Sequence, residues 1–246
     1  MTDRPTVGVV GDEGSIADAV EAAGATPVTR PAAEVVDDSD YIVAVGEAAL
    51  LATMRASPSV PVLPVEAGRG VRSVPRDRVE SAVASLLAGE FDREHHPVYD
   101  VAVADRTEAR IFLDCLLVTA EPAQISEYAV RADGERVAQF RADGVVVATP
   151  AGSAGYARRA GGPVVPPETD ALVVVPIAPF ATDADRWVVP AGDVELSVER
   201  DVTAVDLVVD ERVAGAVPPA DPVRLSAGGS VAVAVVDVSQ SPFPPL

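Results

Sequence analysis

Over residues 1–92, runs of consecutive apolar residues alternate with segments whose apolar positions recur every three or four residues. The runs TVGVVG (6–11), TPVTR (26–30), DYIVAVG (40–46) and SVPVLPV (59–65) predict buried strands. SIADAVEAAGA (15–25), EAALLATMRAS (47–57) and RDRVESAVASLLAGE (76–90) carry helical spacing, and the first and last run into a glycine, a helix stop signal. Strands alternating with helices predict a parallel sheet with helices outside it. After EFDREHHP (90–97), which reads as a linker, the period changes from 3.6 to 2. Short β-rich runs follow: VYDVAVAD (98–105), ARIFLDCLLVT (109–119), QISEYAVRADG (124–134), ERVAQFRADG (135–144) and GVVVATP (144–150). ALVVVPI (171–177), RWVVP (186–190), VELSVER (194–200), AVDLVVD (204–210) and SVAVAVVDV (230–238) complete the set. Turn signals such as the RADG at 131–134 and 141–144 separate them, and the pattern predicts an antiparallel β-sandwich. The expected domains are thus an α/β unit over 1–92 and a sandwich over 97–246.

Composition narrows the class. The chain has 246 residues, 48% hydrophobic, with no apolar run of 18, so no membrane span is expected. The charged start MTDRPTVGVVGDEG is unlike a secretory signal, and one cysteine, Cys115, allows no internal disulfide. A cytoplasmic protein is expected. Thirty-eight acidic residues against 19 basic ones give a net charge of −19, with every basic residue arginine and no Lys or Asn in the chain. Such a surface repels nucleic acid and anionic membranes. The composition resembles that of proteins from salt-loving archaea, in which carboxylates hold a hydration shell.

Candidate chemistry centres on TPAGSAGYARRAGGP (149–163), which follows the run GVVVA. Glycine and alanine let a ligand approach the backbone, and Tyr156 offers a ring and a hydroxyl. Tight turns alone would use the same glycines. GDEGS (11–15) stands where an α/β domain can hold phosphate, although two acids there repel an anion unless Mg²⁺ intervenes. His95 and His96 lie in the charged segment with no third ligand apparent, and no metal site is expected. No G-x-G-x-x-G follows the first strand, which argues against a Rossmann dehydrogenase.

The segment around Tyr156 resembles the signature of the NAD kinase family, DG–strand–TPTGSTAY-x-x-S-AGGP. Asp143, Gly144, Thr149, Pro150, Gly152, Ser153, Tyr156, Ala160, Gly161, Gly162 and Pro163 agree with it. VVVPIAPF and RWVVP resemble its "PI-x-P-H" and "RP-L-V-V-P" segments, and PVLPVEAGRG its "P-I-L-G-I-N-x-G-R-L-G" stretch. The resemblance implies a Rossmann-like α/β domain followed by a β-sandwich domain that carries the dinucleotide. It implies transfer of the ATP γ-phosphate, or polyphosphate in some members, to the 2′-hydroxyl of the adenosine ribose of NAD, usually with Mg²⁺ on the phosphates. It also implies a homodimer or homotetramer.

By the same resemblance Asp143 meets one end of the dinucleotide, nicotinamide or adenosine side, and Tyr156 stacks near a base. Asp114, Thr149, Gly152, Ser153, Ala154, Gly155 and Arg159 line that pocket, although Asp114 also reads as an exposed strand residue and Arg159 as a surface arginine beside Arg158. The family's GGDGT is replaced by Val45-Gly46-Glu47-Ala48-Ala49, so Glu47 stands at the catalytic acid, with Gly46, Gly68 and Arg69 on the phosphate side. The family's Asn-Glu or Asn-Asp pair becomes Asp114-Cys115, TPTGSTAY loses its inner threonines to Ala151 and Ala154, its following Ser is Arg159, and the Asn of "I-N-x-G" is Glu66. Glu47 also reads as a solvated acid at a helix start. An active NAD kinase and a lapsed paralogue that keeps a nucleotide pocket are both consistent with this pattern.

Overall fold

The structure, a computed structural model, describes residues 4–11, 14–68, 70–104, 106–121, 124–181, 183–200, 203–219 and 221–243. The chain forms two compact units, Met1–His96 with Ser230–Leu246, and Pro97–Gly229.

In the first unit β1 (Thr6–Val10), β2 (Thr26–Thr29), β3 (Tyr41–Val45) and β4 (Val62–Val65) form a parallel sheet in the order β4–β3–β1–β2. The helices α1 (Ser15–Ala22), α2 (Ala32–Val35), α3 (Glu47–Arg55) and α4 (Val79–Ala88) alternate with them. A two-sided cover explains why β1, β3 and β4 read as continuous apolar runs rather than alternating ones. Val7, Val9, Val43, Leu63, Val65, Ile16, Val20, Val83 and Leu86 pack as one core. Fully burying such a Val or Leu contributes about 1.5–3 kcal/mol. Helix α4 stops at Gly89, whose left-handed backbone (φ 76°) lets Glu90 donate back to the Ser85 carbonyl at 2.9 Å.

The second unit is built from β5 (Asp92–Val103) from Pro97 onward, β6 (Arg106–Ile111), β7 (Asp114–Thr119), β8 (Ser126–Ala132), β9 (Glu135–Ala148), β10 (Ala171–Pro179) and β11 (Trp187–Pro190). It is completed by β12 (Val194–Arg200), β13 (Val205–Val209), β14 (Arg212–Val217) and the first part of β15 (Val223–Val235), whose residues from Ser230 belong to the first unit. The short helix α5 (Pro150–Gly152) leads into a wider helical turn over Ser153–Ala157. The pairing is antiparallel, running β14–β13–β7–β9–β8–β12–β15, with β10 joining β9 to β11. Strand β9 does two jobs. Residues 135–142 pair with β8, whereas 144–148 pair with β7 and β10. A strand that changes partners is how an antiparallel sheet folds onto itself. Past the change, Val145 and Val147 face the main core with Leu117, Tyr128 and Leu196. Val146 and Ala148 face a second cluster with Leu116, Ala157, Val173 and Val175.

Four expectations need correcting. The run 230–238 was assigned to the sandwich, but residues from Ser230 onward pack with the first unit, and Val233 pairs in parallel with Val62 of β4. Alternation alone cannot tell which sheet a strand joins. The presumed linker 90–97 runs into β5. His96 is fully buried, with Nε2 2.7 Å from Glu94 Oε1, and Glu94 Oε2 accepts from Arg72 Nε at 3.1 Å. The His96 hydrogen bond, against the opposing effect of burial, holds the Glu94 carboxyl below its ordinary range. Charges that satisfy one another sit in a strand as readily as in a linker. The second RADG (141–144) is not a turn but part of β9. A Cβ at Gly144 would run into the Leu117 carbonyl oxygen, so the glycine permits close strand approach at the change of partners. Finally, ARIFLDCLLVT is two strands broken at Phe112–Leu113.

Candidate functional site

In the first unit the chain leaves β1 towards β2 on one side, while β3 lies on the other. That reversal is the switch point at which parallel α/β sheets take ligands, outside the carboxyl ends of the strands. The residues there are Gly11 after β1 and Gly46-Glu47 after β3. Gly11 has φ 84°, and a Cβ on it would lie 2.5 Å from both the Val45 oxygen and Ala49 Cβ, so only glycine fits. Gly46 has φ 85° and donates to the Val65 carbonyl at 2.8 Å. Glu47 begins α3, where the helix dipole favours a carboxylate. Its Oε2 lies over Gly68, whose φ of 82° favours glycine; a Cβ there would have to displace the Glu47 carboxylate. Glu47, Gly46 and Gly68 are therefore brought together.

The loop after β4 is held by Ala67 N–H donating to Ser73 Oγ at 2.9 Å and by Arg76, which reaches both Glu66 Oε2 (3.2 Å) and Ser15 Oγ (3.1 Å). Arg76 was not singled out in the sequence, because its partners lie 10 and 61 positions away. Arg69, and Asp12 and Glu13 of the first turn, lie outside the described residues.

In the second unit the segment after β9 is clamped at several points. Thr149 caps α5, accepting from Gly152 N–H at 3.2 Å while its hydroxyl donates to the Phe112 carbonyl at 2.7 Å. Thr149 N–H donates to the Leu113 carbonyl at 2.9 Å. Gly152 lies so close to Leu113 that a Cβ would strike its carbonyl oxygen. Ser153 donates to the Pro150 carbonyl at 2.6 Å and accepts from Val165 N–H at 3.0 Å, tying both ends of the loop. Ala154 is buried, and nothing stands within 4 Å of where a Gly155 Cβ would be. Tyr156 is half-buried, with the Arg159 guanidinium 5.6 Å from its ring centre.

Two predicted residues behave differently. Asp114 is buried at the start of β7 and pairs with Ala148, beside Thr149. Asp143 sits at the change of partners in β9, its carbonyl accepting from Tyr128 Oη at 3.3 Å. Thr149 follows six positions later, about 20 Å along the strand at the usual rise. The structure therefore groups Asp114 with the glycine-rich loop and does not group Asp143 with it. Burial first, with the Asp143 charge adding, pushes the Tyr128 hydroxyl up to about 12. Cys115 is buried beside Asp114, and burial above all, then Asp114 and Asp210, raises its thiol well above the ordinary range. Its burial suits a small apolar core side chain.

A residue the sequence reading missed is Asp210. It is 2% exposed, and its carboxylate accepts three backbone N–H groups: Phe112 at 2.9 Å, Leu113 at 2.7 Å and Asp114 at 3.2 Å. Its only local signal was an acid at the end of AVDLVVD. Among the described residues no group of three or more His, Cys, Asp or Glu is arranged to hold a metal ion. Mg²⁺ needs few protein ligands when it rides on nucleotide phosphates.

Residues 114–236, half of the chain, match the family model of the ATP-NAD kinase C-terminal domain. The chain belongs to the NAD kinase family. It is 32% identical over 154 residues to an NAD kinase of Methanopyrus kandleri, covering 61% of this chain and 55% of that protein. The chain thus spans about half the length of the curated relatives it matches. Its fold matches an Archaeoglobus fulgidus NAD kinase crystallised with ATP, with TM-score 0.76 and 24% identity over 93% of this chain and 92% of that one. It also matches a yeast NADH kinase complexed with NADH, with TM-score 0.77 and 14% identity over 96% and 84%. The NAD kinase fold accounts for the order of an α/β unit and a strand-rich unit. No helix among the described residues is long and apolar enough to cross a membrane.

Proposed function

We propose that the protein is an NAD kinase that transfers the γ-phosphate of ATP, or a phosphate of polyphosphate, to the 2′-hydroxyl of the adenosine ribose of NAD. The observation that carries this reading is the carboxylate of Glu47, held over Gly68 at the switch point of the parallel sheet, in a chain of this family. Glu47 accepts the proton of the ribose hydroxyl, and Gly46, with nothing within 4 Å of where a Cβ would stand, leaves backbone open to phosphate, with Gly68 beneath the carboxylate on the same side. Arg69 is assigned to the phosphate side by the family resemblance alone. Mg²⁺, carried by ATP, neutralises the phosphate oxygens. Thr149, Gly152, Ser153, Ala154 and Gly155 shape the dinucleotide pocket, with Asp114 beside them, Tyr156 stacking on a base and Arg159 answering a phosphate. Asp143 meets a separate part of the dinucleotide. A cytoplasmic homodimer or homotetramer that binds neither nucleic acid nor membrane completes the reading. Incubation of the protein with NAD⁺, ATP and Mg²⁺ in molar KCl should yield NADP⁺. Folded protein that forms none would overturn it.

A lapsed paralogue that binds nucleotide without turnover is the second reading. Val45 and Ala49, both largely buried, stand where the family has glycine and threonine, and Ala49 packs against Gly11. Both readings retain the pocket. Tyr156→Ala should therefore weaken NAD⁺ binding by about 1–3 kcal/mol, the scale of one aromatic–base stack. Calorimetry that finds equal affinity in the variant would remove Tyr156 from the site.

We also propose a high-salt habitat from the charge of −19. Most ion pairs described here are at least partly solvent-exposed and contribute little at ordinary salt. Carboxylate repulsion dominates when the Debye length is about 10 Å at 0.1 M and is screened when it is about 3 Å at 1 M. The melting temperature should rise steeply with KCl over that range. A flat profile would count against the proposal.

A further inference from the structure

Asp210 lies in the two-residue turn of the β13–β14 hairpin, far in sequence from everything it holds. Both turn residues have positive φ, Asp210 at 43° and Glu211 at 68°. Such a turn favours Asn-Gly or Asp-Gly, so hairpin formation alone does not demand a carboxylate. The carboxylate instead accepts from Phe112, Leu113 and Asp114 at the break between β6 and β7, while Asp210 N–H donates to the Asp114 carbonyl at 3.0 Å. Three N–H groups converging on one buried anion make a charge-assisted clamp, and such bonds are about twice as strong as neutral ones. The clamped residues grip the glycine-rich loop in turn. Phe112 and Leu113 offer their carbonyls to Thr149, and Leu113 is the backbone against which Gly152 is pressed.

We propose that Asp210 is a positioning residue of the dinucleotide site, setting the 149–157 loop and Asp114 through the Phe112–Leu113 break. It touches no substrate. The inference deepens the NAD kinase reading and rests on it for the identity of the ligand. The mechanical link stands on the geometry alone.

Asp210→Asn tests it cleanly, because asparagine suits the positive-φ turn and removes only the charge and one acceptor. Hydrogen–deuterium exchange of the ligand-free protein is the first readout. Amides 112–114 and the segment 149–157 should both exchange about 10- to 100-fold faster, the factor for one lost hydrogen bond to a charged group. Strands β8 and β12 should keep the parent rate. Faster exchange confined to 112–114, or spread evenly over the unit, would overturn the link. The second readout is kinetic. The KM for NAD⁺ should rise about tenfold and the KM for ATP should stay at the parent value. A merely destabilised enzyme loses active fraction and keeps both KM values. If Asp210→Asn does not fold, Thr149→Val cuts the same chain at its other end. It should speed exchange of 149–157 while 112–114 stay protected, and an unchanged loop would refute the link. A parent protein that makes no NADP⁺ overturns the kinase reading, while the exchange measurement still decides the role of Asp210.

Discussion

Glu47→Gln should lower NADP⁺ formation by about 10²–10⁴-fold, the usual contribution of a positioned acid or base, with NAD⁺ affinity nearly unchanged. The carboxylate begins α3 at the switch point of the sheet and lies over Gly68. Glutamine keeps the volume and removes the proton acceptor. Compared with the aspartate that the family resemblance puts at this place, the extra methylene lengthens the reach by little more than about an ångström on ordinary bond lengths, a small change under the proposed role. The measurement is steady-state NADP⁺ formation, with calorimetry of NAD⁺ binding alongside it. Robust turnover in the variant would remove Glu47 from catalysis. A parent that binds NAD⁺ and makes no NADP⁺ identifies the lapsed paralogue, and restoring Gly-Gly-Asp-Gly-Thr over residues 45–49 should then recover part of the activity.

Gly152→Ala should cost about 1–3 kcal/mol of stability, the range for overpacking a tight contact, and should abolish measurable NAD⁺ binding. The new methyl group would meet Leu113 backbone, with its Cα 2.9 Å away and its carbonyl oxygen nearer still. A flexible side chain could swing aside, but this backbone cannot. Leu113 N–H is held by Asp210, and its carbonyl by Thr149 N–H. Any relief therefore breaks a hydrogen bond inside the clamp or lifts the loop from β7 and β9. Thermal melting reads the first effect, at about 2–4 °C per kcal/mol for a chain of this size, and calorimetry reads the second. Parent-like values in both would show that the loop is not clamped as described.

Local pattern carried the organisation of the chain far. The runs TVGVVG, DYIVAVG and SVPVLPV became β1, β3 and β4 because a strand covered on both faces needs apolar residues at every position. The bend of TPAGSAGY after a strand was legible because Thr149, Pro150 and the small residues have local conformational meanings: a cap, a helix start and room for close approach. The NAD kinase resemblance rested chiefly on those same adjacent residues, whereas Gly46, Glu47 and Gly68 were assigned through that resemblance and not by any local rule.

What the tertiary structure alone decided involved partners far apart in the chain. ARIFLDCLLVT looks like one strand because its side chains suit one. It breaks at Phe112–Leu113 because Asp210, nearly a hundred residues later, supplies the acceptors that the ladder would otherwise provide. Asp143 and Tyr156 share one signature, yet the structure does not group them, since an extended strand carries consecutive motif residues apart at about 3.3 Å each. The stretch after Ser230 alternates like any sandwich strand, and only its pairing with β4 assigns it to the first unit. Hydrophobic period records which residues are covered, whereas the covering partner is chosen by contacts and hydrogen bonds that no local window contains.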